Sequence, residues 1–155
     1  MFSEFAAFAV ALGAVAAPAS DWRYVDADAR GANISFIDKD SIRTNTAGNI
    51  EAAMFSVLAQ DDDGTAAFRF IVEFQCATGK SRLLTGEMFD AALKSSGPAD
   101  MGADWEGNDP GTQGETILKF ACSKGASMAD GTSLGAELPL AKGRSILAER
   151  AAKGS

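Results

Sequence analysis

Two cysteines and a cluster of acids carry most of the chemistry this chain could do. The acids gather in the Gly- and Pro-rich stretch 90–111, as Asp100, Asp104, Glu106 and Asp109. A close carboxylate pair there could do acid–base work, as in a hydrolase. Asp104, Glu106, Asn108 and Glu115 also fall at the first, third, fifth and twelfth positions of an EF-hand loop. The sixth position must turn sharply on glycine, and here it is Asp109, so calcium is not expected. Thr112 with Glu115 three residues on reads instead as the capped start of a helix, T-x-x-E. No metal site and no catalytic residue is therefore assigned.

Other chemistries lack their residues. The chain has no histidine, which removes the usual general base near neutral pH and most zinc sites. The stretch ATGKS resembles the end of a phosphate-binding loop, but the required first glycine is Phe74. The net charge is −7, a poor match for phosphate backbones, so no nucleic-acid partner is expected. No cofactor is implied.

Cys76 and Cys122 are the only cysteines, 46 positions apart. That spacing excludes a C-x-x-C redox site. In an oxidising compartment an isolated pair is most simply a disulfide, the alternative being a reactive thiol. Closing such a loop is worth about 4 kcal/mol in the chain-entropy picture.

The compartment follows from residues 1–19, MFSEFAAFAVALGAVAAPA, apolar from Phe5 to Ala19. That run is short for a bilayer span and ends in an A-x-A pattern before Ser20, so a signal peptide cleaved after Ala19 is expected, with no stable membrane insertion. Glu4 and the lack of Lys or Arg before the apolar run are atypical.

The elements that position these residues read mainly as strands. WRYV (22–25), NISFID (33–38), the apolar run 50–59, AAFRFIVEFQC (66–76) and RLLTGEMF (82–89) are bounded by turn signals such as Asp63-Gly64 and Thr78-Gly79. In 66–76, Phe68, Phe70, Val72, Phe74 and Cys76 share one face, and Arg69, Glu73 and Gln75 share the other. The alternation places Cys76 on the core side and Arg69 and Glu73 on an exposed face able to pair with another subunit. Residues 116–124 fit a helix with Ile117, Phe120 and Ala121 on one side, strand being the alternative. Residues 125–155 read as a flexible basic C-terminal tail, with 145–153 able to form a short helix.

The order of these features resembles the surface-adhesin protein E-like domains, exported proteins of Gram-negative bacteria. The residues that carry the resemblance run from Trp22 to Cys122. They are Trp22-x-x-Val25, the segment Phe36 to Ile42 ending in Ser41-Ile42, Glu73-Phe74-Gln75-Cys76, Arg82-Leu83-Leu84, Trp105, Pro110-Gly111-Thr112 and Phe120-Ala121-Cys122. The resemblance implies an α+β fold, mainly antiparallel β-sheet with one C-terminal helix packed on it, a Cys76–Cys122 disulfide, and a homodimer. The best-studied member binds host matrix proteins.

The expectation is then an exported non-catalytic binding module over 20–124 with a protein partner, periplasmic or at the cell surface. Trp105, in its acidic loop, is the first candidate contact, and Arg69 and Glu73 on the polar strand face are further candidates. A periplasmic small-ligand carrier, which would need an enclosed apolar cavity, is the alternative, and a carboxylate-dependent hydrolase a more distant one.

Overall fold

The computed structural model describes residues 19–128 and 131–154. The expected leader lies outside the described residues, save for Ala19. The strands are β1 (Trp22–Ala27), β2 (Asn33–Asp38), β3 (Arg43–Thr44), β4 (Ile50–Asp62), β5 (Thr65–Gln75), β6 (Lys80–Phe89), β7 (Ala99–Asp100) and β8 (Glu106–Gly107). They form one antiparallel sheet in the order β1-β2-β4-β5-β6-β7, with β3 on β4 and β8 on β6. Two helices follow, α1 (Gln113–Cys122) and α2 (Leu140–Lys153).

Turn chemistry fixes the central hairpin. Asp63 and Gly64 both have positive φ, 47° and 79°, the backbone that matches a two-residue turn to the twist of its strands. It pairs Asp62 with Thr65, and the apolar runs on either side then zip together.

Alternation along β4 divides the core. Ile50, Ala52 and Met54 pack with Phe74, Val72 and α1 residues Ile117, Phe120 and Ala121. Phe55 and Val57 point to the other face and pack with Ile34, Phe36, Phe89 and α2 residues Leu140 and Leu147. The helices therefore cover opposite faces of one sheet.

Residues 125–155 are not simply a tail. Leu140, Gly143 and Leu147 of α2 are buried. A Cβ on Gly143 would stand 2.9 Å from Val57 Cγ2 and 3.1 Å from Ile34 Cγ2, so only glycine lets the helix backbone come this close. Arg144 ion-pairs with Asp61, and Arg150 donates to the Tyr24 hydroxyl at 2.8 Å. The helix expected over 145–153 begins earlier, at Leu140, and Gly143 and Leu140, one and two turns before Leu147, extend its buried stripe.

Candidate functional site

α1 is held at both ends. Thr112 Oγ1 accepts from the Glu115 N–H at 3.3 Å, and Glu115 Oε2 accepts from the Gly111 N–H at 2.8 Å. Glu115 also pairs with Lys119 at 2.7 Å. Lys119 and the Gly111 N–H hold its carboxyl below the ordinary value. Glu115 is thus a helix cap, as its spacing from Thr112 predicts. At the far end Cys122 is disulfide-bonded to Cys76, with Cα atoms 5.8 Å apart. Cys76 is exposed, contrary to its expected core side. β5 ends at Gln75 and the chain has begun its turn, so the strand alternation no longer applies.

The polar side of β5 holds a chain of charges. Antiparallel register sets Arg43 opposite Glu51, Glu51 opposite Glu73, and Glu73 opposite Arg82. Residues directly opposed share a face, so four charged side chains line up across β3, β4, β5 and β6. Glu73 is 3% exposed, not on an open face as expected. Arg82 pairs with it at 2.7 Å. The side-chain amides of Asn45 and Asn49 each donate to Glu73 Oε1 at 2.8 Å. Asn45 also donates to Glu51 at 3.1 Å, and Arg43 donates to Glu51 from the other side.

Burial pushes the Glu73 carboxyl up, but the hydrogen bonds from Asn49, Asn45 and Arg82 outweigh it and leave the carboxyl below its ordinary value. Glu51 is lowered too, first by its hydrogen bond from Arg43 and then by that from Asn45. Two carboxylates can sit side by side here because each has its own donors.

Arg82 links this chain of charges to Trp105. Its guanidinium carbon lies 4.5 Å from the centre of the Trp105 ring, within cation–π range. Trp105 is half-buried, just before β8, while Asp104, Glu106 and Asp109 around it are exposed. The structure therefore joins Glu73 and Trp105 through Arg82, which the sequence offered only as part of the family resemblance and not as a site residue. The available signal was cross-strand: Glu73 and Arg82 flank the Thr78-Gly79 turn at hairpin spacing.

Arg69 belongs to a second group. It ion-pairs with Glu87, its cross-strand partner, and lies 5.6 Å from the Phe89 ring centre. Ser95 donates to the other oxygen of Glu87. Arg69 and Glu73 share a face of β5 but make no direct contact in either group. Among the described residues no cluster of three His, Cys, Asp or Glu is placed to hold a metal ion.

The arrangement is a disulfide-stapled antiparallel sheet with a half-exposed tryptophan stacked on an ion-paired arginine. The family described as surface-adhesin protein E matches the chain over residues 22–123, and the chain belongs to that family. It is thus an adhesin-like surface protein, exported or at the cell surface. No curated protein and no solved structure matches it. Among the described residues no helix is long and apolar enough to cross a membrane. The match ends at Ser123, so α2 lies outside the matched residues.

Proposed function

We propose that this chain is an exported, non-catalytic adhesion module of a Gram-negative envelope, and that Trp105 is its main contact with a protein partner. Residues 1–19 act as the cleaved leader. The observation that carries this reading is the support of Trp105. Its ring rests on Arg82, which is fixed by buried Glu73, which is fixed in turn by Asn45 and Asn49. An aromatic side chain held this way loses little rotamer freedom on binding, which is how tryptophan and arginine become dominant contacts.

The test uses the exported protein on immobilised basement-membrane extract, as a source of matrix proteins. Wild type is retained, and Trp105→Ala loses at least about tenfold in apparent affinity, on the scale of an interface hot spot. Retention unchanged by Trp105→Ala would place the contact elsewhere. No retention of wild type would contradict the matrix partner. Intact mass of the same material checks the leader: a chain beginning at Ser20 is expected, and an uncleaved chain would contradict export by this route.

A further inference from the structure

Between the end covered by α2 and the Glu51–Glu73 chain of charges, the same sheet face carries a recess of about 210 Å³. Ala53 and Ile71, adjacent on β4 and β5, form part of its floor. Trp22, Asp38, Arg69, Thr85 and Glu87 contribute its polar wall.

The hydrogen-bonding of that wall is incomplete. Trp22 is 2% exposed, and its Nε1 is buried with no acceptor among the described residues. A buried donor left unpaired is costly, so native structures rarely keep one without water or a ligand to serve it. The Thr85 hydroxyl and the Arg69 Nε and Nη1 groups also have no partner among the described residues, since Arg69 reaches Glu87 through Nη2 alone. Asp38 uses Oδ1 for the Asp21 and Asp40 N–H groups, at 2.8 Å and 3.1 Å. Its Oδ2 is left as an acceptor.

Charge and size narrow the ligand. Arg69 and Glu87 neutralise each other, and in the exported chain the α-ammonium of Ser20, which also lines the recess, offsets Asp38, so the recess has no net charge and suits a neutral ligand. A purely cationic group would satisfy Asp38 and strand the donors. A group that both donates and accepts, without charge, satisfies both sets. The volume falls below the roughly 300–1,000 Å³ of sites for drug-sized ligands, which suits one small ring.

We propose that this recess is a binding subsite for a single neutral, hydroxyl-rich ring, such as the terminal sugar of a glycan. The ring's oxygens accept from Trp22, Thr85 and Arg69, and one hydroxyl donates to Asp38. The proposal does not depend on Trp105 being a protein contact, because the two sites share no residue.

The test follows the two indole N–H resonances of the ¹⁵N-labelled exported protein during titration with glucose, galactose, mannose and N-acetylglucosamine. At least one sugar is expected to shift the Trp22 indole signal saturably and leave that of Trp105 in place. Thr85→Val weakens that sugar about fivefold, the loss of one hydrogen bond. Ala53→Leu, which fills the floor, abolishes the shift while the rest of the spectrum is retained. Absence of a saturable shift with all four sugars overturns the proposal. So does an equal response to N-methylacetamide, which would mark a peptide subsite, or to acetate, which would mark an anion subsite.

Discussion

Strands β5 and β6 build the same three-part unit twice. At one end Glu73, Arg82 and Trp105 are stacked, and at the other Glu87, Arg69 and Phe89. In both, a buried glutamate anchors an arginine whose guanidinium lies near an aromatic ring. The order is inverted: β5 supplies the acid in the first and the base in the second. The rings differ most. Phe89 is 4% exposed and packs in the core with α2, whereas Trp105 is half-buried on a loop. The acids differ too. Glu73 has two asparagine donors besides its arginine, while Glu87 has Ser95. One unit consolidates the core, and the other holds the proposed contact residue at the surface.

The strongest way to disturb the comparison is to cut the staple next to one unit only. Cys76 directly follows the β5 segment that holds Glu73. Reduction, or Cys76→Ser with Cys122→Ser, should lower stability by about 4 kcal/mol, read as a fall in the urea midpoint. Hydrogen exchange should then rise first around Glu73 and β8. A larger rise around Glu87 would reverse the assignment.

Arginine removal separates the units next. Arg69→Met leaves buried Glu87 with Ser95 alone and should cost about 2–3 kcal/mol. Arg82→Met leaves Glu73 with Asn45 and Asn49 and should cost less, about 1–2 kcal/mol. Urea unfolding of both variants checks the order, and equal losses would show that the asparagines add nothing.

Acid should act through the Trp105 side. The folded carboxyls of Glu73 and Glu51 lie below their ordinary value of 4.5. Their stabilisation is therefore complete above about pH 4.5 and is lost as pH falls through the lowered folded values. Glu73→Gln should flatten this acid limb of the stability curve. A limb of unchanged slope would remove Glu73 as its source.

The smallest effect on stability is expected where the effect on binding is largest. Trp105→Ala removes an exposed cation–π contact and should cost less than about 1 kcal/mol of folding stability. A larger loss in thermal unfolding would make Trp105 a packing residue like Phe89.

Much of the scaffold was legible in the chain. The hairpin at Asp63-Gly64, the strands on either side, the cap formed by Thr112 and Glu115, and the cysteine pairing all rest on local spacing or on there being two cysteines. The candidate site was legible only in pieces. Alternation assigned Glu73 to a polar face, but a polar face can be buried when other strands supply partners. Asn45, Asn49 and Arg82 lie 28, 24 and 9 positions from Glu73, and their convergence depends on strand register. Phe68 and Phe70, assigned to the core by the same alternation, are half-buried because α1 lies mainly over β1 and β4 and meets β5 nearer Val72 and Phe74. The helix over 145–153 was legible, but its start at Leu140 and its close packing were not, because the closest approach is at Gly143, which carries no hydrophobic signal.

The most direct measurement compares Trp105→Ala with Phe89→Leu for retention of the exported protein on basement-membrane extract, with unfolding midpoints recorded in parallel. The account predicts that Trp105→Ala loses at least about tenfold in binding with its midpoint nearly unchanged, and that Phe89→Leu lowers the midpoint while folded protein still binds. Full binding by Trp105→Ala would contradict the claim that this unit presents the contact.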